Sequence, residues 1–369
     1  MVSLARENLL HEKSKIVLSV GGVVLAVFLI FATTGIYFGI VTVVENMVLK
    51  AGADLWVTSQ GASGSLHSPS LLNSRIGEEL KRINGVKEVA PLIRRPIATN
   101  VNGEKLLISI NGFDTASGLG GPWKVVKGTA IPGKGDAIVD RVLAKNKGMD
   151  IGGVINLEGK QFKVVGISDE TFTLISYMVF VTMEDARSFM PVDLTNFFLV
   201  NANSPAEIAG VKTAIESAFP AVSVSTSQQN AAEAKTETVG GFLPIVLVIS
   251  AIGVLVGILV VGLLVYTMTI EKSREYGVVR AIGAPNFYLY KIVLFQALTI
   301  SVLGFVIGAA ISPPLISFMQ YLVPEFVSVM TPKVILWVFF LFVATGLVAS
   351  FIPARRLSRI DPAVVFKGQ

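Results

Sequence analysis

The stretch GTAIPGKG at 128–135 spells GxxxxGK, the opening of the loop in which backbone N–H groups and a lysine hold nucleotide phosphates. Such a loop needs Ser or Thr after the lysine to hold Mg²⁺, but Gly135 and Asp136 follow Lys134 here. Pro132 removes one N–H from the cradle, and DAIVD at 136–140 alternates like a short strand where a helix should begin. We read the stretch as a Gly/Pro turn between strands. Glu184 and Asp185 have the types of a carboxylate dyad, but they follow Thr182 at a helix start and there complement the helix dipole. The only histidines are His11 and His67, no HExxH is present and cysteine is absent. Disulfides and thiolate metal sites are therefore excluded. No catalytic residue, metal or cofactor is expected in this chain.

Topology separates these groups further. The 369 residues are 52% hydrophobic and 15% charged, with a mean hydropathy of +0.66, which is a membrane composition. Charge-free apolar runs cover 16–44, 239–270, 292–324 and 334–354, each long enough to cross a bilayer as a helix. The first three approach ~45 Å as straight helices against ~30 Å of hydrocarbon, so they should tilt, bend or project. The first run is about twice a signal-peptide core and no A-x-A site follows, so it reads as a retained anchor. Segments 1–15, 271–291 and 355–369 together carry eleven Lys or Arg and five Asp or Glu, whereas 45–238 carries nineteen against twenty. By the positive-inside rule both termini and the 271–291 loop are cytoplasmic and the long insert faces outward. The pI of about 9.3 thus marks a cytoplasmic rim and gives no nucleic-acid signal. GTAIPGKG falls outside the membrane, away from ATP, and His11 and His67 fall on opposite sides.

The insert reads as mixed α and β. VNGEKLLISINGFD and VINLEGKQFKVVGI each carry two alternating runs around a tight turn. LLNSRIGEELKRI reads as a helix stopped by Asn84-Gly85, and SPAEIAGVKTAIESAF as a helix opened by a capping box of Ser204 and Glu207. FTLISYMVFV at 172–181 is too short to span and reads as a buried strand. SQGASGSLHSPS at 59–70 has loop composition.

None of the four runs contains Asp, Glu, Lys, Arg or His, which argues against ion-coupled transport, charged channel filters and intramembrane proteolysis. They do carry Gly35 with Gly39, Gly253 with Gly257, and Gly304 with Gly308, a four-residue spacing that lets helices pack closely. Pro244 and the pair Pro313-Pro314 should kink or break their segments.

Directly after the second run comes EKSREYGVVRAIGAP, 271–285, with Tyr276, Val279 and Ile282 on one helical stripe and mixed charges elsewhere. Alternating signs suit a protein partner better than anionic lipid. This stretch resembles the ERRREIGxLRAxGA signature of FtsX-like, MacB-type permeases of ABC transporters, matched by Glu271, Arg274, Glu275, Gly277, Val279, Arg280, Ala281, Gly283 and Ala284. PARRLSRIDPAVVF resembles the same family's closing PARRAARLDPxEALR. LARENLLHEKSKIVLS resembles its N-terminal surface helix, and LKRINGVKEVAP and EGKQFKVVGI its extracytoplasmic core domain.

The resemblance implies an α-helical membrane protein: a surface helix at 1–15, spans at 16–44, 239–270, 292–323 and 334–354, and a mixed α/β core domain at 45–238 between spans one and two. It further implies a cytoplasmic coupling loop at 271–291, an external loop at 324–333, a tail at 355–369, and placement in a prokaryotic cytoplasmic membrane. Two copies would pair with two copies of a separate cytoplasmic ATPase that binds ATP and Mg²⁺. Glu271, Arg274, Glu275, Gly277, Arg280 and Gly283 would form the coupling site, and outward extensions of the first two spans a stalk. The stroke would drive export or extraction of a lipid, peptide or drug-like substrate. An FtsX-type signalling subunit acting on an external partner such as a cell-wall hydrolase is the alternative, and a plain anchored binding domain would leave three spans unexplained. An adaptor is left open. Gln296 stands where the family supplies Glu, Val364 replaces another Glu, and Tyr276 replaces Ile.

Overall fold

A computed structural model describes residues 13–357 apart from 63–69, 102, 174–175, 191–192 and 324. His11, His67, most of the expected surface helix, and the tail beyond 357 with Val364 lie outside them. In chain order the elements begin with helix α1 (Lys13–Leu49), then β1 (Leu55–Ser59), β2 (Leu72–Asn73), α2 (Ile76–Leu80), β3 (Val86–Val101), β4 (Glu104–Phe113), β5 (Val125–Gly128), β6 (Asp136–Asp140) and α3 (Arg141–Lys147). There follow β7 (Val154–Leu157), β8 (Lys160–Ser168), β9 (Tyr177–Thr182), α4 (Met183–Arg187), β10 (Leu194–Thr195), β11 (Phe197–Ala202), α5 (Ile208–Ala218) and β12 (Val222–Thr226). Four helices close the chain: α6 (Ser227–Glu271), α7 (Ser273–Ala281), α8 (Asn286–Leu322) and α9 (Pro332–Leu357). Two compact units result, one holding 39–242 with 323–327, the other the remaining membrane-helix residues.

The first unit is built on a ten-stranded sheet in the order β12-β1-β11-β3-β4-β9-β6-β8-β5, with β7 added to β8. The β4–β9 and β6–β8 pairs are parallel and the others antiparallel. Its turns follow local chemistry: β7 and β8 meet through Glu158 at φ 49° and Gly159 at φ 86°, the left-handed pair of a two-residue hairpin. The long strand β3 serves two cores. Its Ile93, Ile97 and Val101 join Ile108, Ile110, Val139, Phe162 and Val179 in the larger one, while Val89 joins Leu55, Leu80, Phe198 and Ile215 in the other. Each fully buried side chain of this size contributes about 1.5–3 kcal/mol relative to exposure.

Local expectations fail in three places. Leu72 and Asn73 pair as β2 with β10, so the helix after them shrinks to Ile76–Leu80. Ser204 makes no side-chain cap; its hydroxyl donates to Glu207 Oε1 at 3.0 Å, a 3₁₀ turn intervenes, and the helix starts at Ile208. Pro244 lies inside α6, and Pro313 and Pro314 inside α8, without ending either, because in membrane helices neighbouring groups re-satisfy the backbone that proline frees.

Residues 323–327 belong to this unit although they follow the third span in sequence. Glu325 accepts from Asn146 Nδ2 and from Tyr177 Oη at 3.1 Å, and Val327 packs on the larger core. A Cβ on Gly39 would lie 2.7 Å from the Val327 carbonyl oxygen.

Asp140 caps α3, accepting from Val142 N at 2.7 Å and from Thr171 Oγ1 at 2.5 Å. Burial pushes its carboxyl up to about 6, against hydrogen bonds from Thr171, Val142 and Leu143 and with nearby Asp169 adding to the rise. The native state therefore takes up this proton at a higher pH than the unfolded chain, and stability falls as pH rises from about 3.8 to about 6 and is level above that. We expect Asp140→Asn, which keeps a capping oxygen and removes the charge, to gain on the wild type by about 1.4 kcal/mol between pH 5 and pH 8. Thermal unfolding at both pH values reads this. A difference in Tm that does not change with pH would show that Asp140 is not the titrating group.

Candidate functional site

The four apolar helices meet the requirements for spans over Val17–Leu49, Ser227–Glu271, Phe287–Leu322 and Pro332–Arg356. Between the second and third, the chain breaks helix geometry at Lys272, with φ −95° and ψ 13°, and resumes as α7. Glu275 in its first turn and Arg280 in its last suit the helix dipole, and Lys272 Nζ stands 3.8 Å from Glu275 Oε2. Its end is a Schellman motif. Gly283 takes φ +100°, its N–H bonds Arg280 O at 3.0 Å, and Ala284 N bonds Val279 O at 3.2 Å; the left-handed turn needs glycine. Pro285 then precedes α8, so α7 is a separate nine-residue helix with a defined break at each end.

Burial sorts its residues by face. Tyr276 and Gly277 are buried within this chain, so Gly277 first serves close packing here. Arg274, Glu275, Val278, Ala281 and Ile282 are exposed, a spacing of i, i+1, i+4, i+7 and i+8 that forms one continuous stripe. Ile282 is 82% exposed, although its sequence stripe with Tyr276 points to a shared apolar face. The exposed stripe thus mixes opposite charges with apolar side chains, and Val278 and Ile282 are its members that sequence reasoning missed. Arg280 is half-buried and Glu271 exposed at the end of α6.

The paired glycines occupy close crossings. A Cβ on Gly304 would clash with Val23, and one on Gly308 would come 2.8 Å from Val27 Cβ, so α8 crosses α1 too closely for a side chain at either position. A Cβ on Gly253 would lie 3.1 Å from Ile30, and one on Gly257 3.4 Å from Phe342 and Thr345, so α6 approaches α1 and α9. Gly35 packs against Ser328 and Gly39 against Val327. A Cβ on Gly22 would likewise come 2.8 Å from Val260, a crossing outside the four-residue pattern. At the end of α9, Arg356 donates from Nη1 to Tyr266 Oη and lies 5.1 Å over its ring, joining the ends of the second and fourth spans. Gln296 is fully buried in α8 and neither amide atom has a partner among the described residues, a cost of about 1–3 kcal/mol that a charged glutamate would exceed.

GTAIPGKG forms no phosphate cradle. The N–H of Gly133 donates to Asp136 Oδ2 at 3.1 Å and that of Gly135 to Asp185 Oδ2 at 3.0 Å, so carboxylates fill the place of phosphate. Lys134 pairs with Glu184 at 2.5 Å, and strand β6 follows. Thr182 Oγ1 caps α4 by accepting from Asp185 N at 3.1 Å, and Glu184 is exposed, so the two acids are not joined as a dyad.

The model of the MacB-like periplasmic core domain matches residues 16–218, and that of the FtsX-like permease C-terminal region matches 247–362. An uncharacterised ABC transporter permease of Mycobacterium bovis is 24% identical over 375 residues, covering 100% of both chains. One of Methanocaldococcus jannaschii is 20% identical, covering 100% of this chain and 98% of its own. The macrolide export ATP-binding/permease protein MacB of Photorhabdus laumondii is 33% identical over 132 residues, 36% of this chain and 20% of that protein. Four spans, a mixed α/β domain between the first two, and both family regions in order establish that this chain belongs to the MacB/FtsX-type ABC transporter permeases.

Proposed function

We propose that this permease passes the stroke of a separate cytoplasmic ATPase to its outward domain, with two copies of each subunit, to export or extract a lipid, peptide or drug-like substrate. The observation that carries the reading is the exposed stripe Arg274–Glu275–Val278–Ala281–Ile282. A short helix bounded by a break at Lys272 and a Schellman turn at Gly283 can be pushed as one piece between the second and third spans. Its apolar members supply contact area and its charges orient the partner. The charge surplus described above supports a cytoplasmic position for both termini and α7. The size of the outward domain favours transport over FtsX-type signalling. Carboxylates occupy the turn at GTAIPGKG, which supports assigning ATP and Mg²⁺ to the partner.

Three measurements test this. Charge reversal at Glu275 (Glu275→Arg) and Ile282→Asp should each weaken co-purification of the ATPase at least about tenfold, or about 1.4 kcal/mol, with matching loss of function in cells; normal binding and function in both would leave α7 as a membrane-surface element. Arg280 is the poorer site because it is half-buried. Lys134→Ala removes only an exposed ion pair and should leave the assembled complex's ATP turnover unchanged; lost turnover in a folded variant would place nucleotide chemistry in this chain. In this cysteine-free chain, an impermeant thiol reagent added to intact cells should label Ala130→Cys and spare Ala281→Cys, and the reverse pattern refutes the orientation.

A further inference from the structure

Contacts of α6 with α9 advance together along both helices, Gly257 by Thr345, Gly262 by Ala349 and Tyr266 by Arg356, so the second and fourth spans run in the same direction. A Cβ on Gly262 would stand 3.6 Å from the Ala349 carbonyl oxygen, which shows how closely the backbones approach. Beside this crossing the two helices leave an open groove of about 900 Å³. Leu259 and Leu263 of α6 and Val348 and Ile352 of α9 line it, and all four are exposed. On helices that qualify as spans, such a face meets hydrocarbon.

The two apolar rows end together in polar groups. Leu259, Leu263 and Tyr266 follow at i, i+4 and i+7 on α6, and Val348, Ile352 and Arg356 at i, i+4 and i+8 on α9, which sets each row on one helix face. Tyr266 and Arg356 line the same groove as the leucines. It is apolar along roughly 12 Å of α6, from Ile258 to Tyr266, and cationic at the end where the charge-free run of α9 stops at 354. Arg356 is exposed there, and Arg355 beside it adds a second exposed positive charge. The Arg356 guanidinium donates from Nη1 to Tyr266 Oη and lies 5.1 Å over the ring; no carboxylate among the described residues pairs with it. A guanidinium that only tied two spans would need one of its five donors. Stacking on the ring holds its plane, and the remaining N–H groups suit the oxygens of a phosphate. Tyr266 accepts from Arg356, which leaves its own proton for a second donation.

We propose that this groove holds an anionic phospholipid, an acyl chain along Leu259, Leu263, Val348 and Ile352 and the phosphate against Arg356 and Tyr266. Charge complementarity selects this occupant, because basic pockets between spans bind anionic headgroups, whereas an apolar helix of a second copy would fill the groove and leave the guanidinium without an anion. The orientation read above assigns the lipid to the cytoplasmic leaflet. The site itself depends neither on that orientation nor on the ATPase reading, and its test needs the permease alone. The full chain, purified in detergent and stripped of lipid, is titrated with dioleoylphosphatidylglycerol, dioleoylphosphatidylcholine and glycerophosphate, read by thermal unfolding and native mass spectrometry. Phosphatidylglycerol should bind saturably and raise Tm. Phosphatidylcholine, with the same chains and a zwitterionic head, should bind at least about tenfold more weakly, and glycerophosphate should not bind. Arg356→Gln should reduce phosphatidylglycerol to the level of phosphatidylcholine, Arg356→Lys should lose less, and Tyr266→Phe should lose a few-fold. Val348→Trp fills the groove without touching the Arg356–Tyr266 pair and should weaken phosphatidylglycerol at least about tenfold; it decides the matter if Arg356→Gln fails to fold. The proposal is overturned if the wild type binds the two lipids alike, or if Arg356→Gln or Val348→Trp binds phosphatidylglycerol unchanged. Glycerophosphate binding as tightly as the lipid would assign a soluble anion and overturn the acyl part. A dimer that Val348→Trp dissociates, with lipid binding unaltered, would give the groove to a second copy.

Discussion

Helices in hydrocarbon have no water to expel from between them, so their association depends on how closely their backbones approach. Everything in the membrane part of this permease follows from that constraint. Gly304 and Gly308 let α8 settle on Val23 and Val27 of α1, and Gly253 and Gly257 bring α6 to Ile30 and to Phe342 and Thr345. α6 therefore contacts α1 and α9, and its last residue leads into α7. The Tyr266–Arg356 contact adds a polar link near that end. Interfaces this close are unforgiving of added volume, and a push on α7 would meet helices with little slack between them.

Much of this architecture was legible in the sequence because its causes are local. Charge-free runs have no alternative to a bilayer, Glu158-Gly159 supplies the left-handed turn that a hairpin needs, and Gly283 followed by Pro285 ends a helix. The orientation of α7 was not legible in the same way. A period of 3.6 places Tyr276 with Ile282, but which stripe is covered depends on neighbours distant in sequence, and the chain covers Tyr276 while exposing Ile282. The prolines misled for a related reason, since their cost is set by what surrounds the helix.

The sharing of β3 between two apolar cores also has a bearing on the outward domain. Val89 serves one core and Ile93, Ile97 and Val101 the other, so the two cannot shift past each other without bending one continuous strand.

Glu325 and Val327 show that the outward domain is not a single stretch of chain. Five residues, 323–327, return to it after the third span, bringing the carboxylate that Asn146 and Tyr177 share. A fragment cut out at 45 and 238 would leave the Tyr177 hydroxyl without that acceptor and bare the patch of core that Val327 covers. Transplanting this domain onto another scaffold would therefore mean grafting two segments, and recombination between relatives that swapped only the long insert would part Glu325 from the surface it fits.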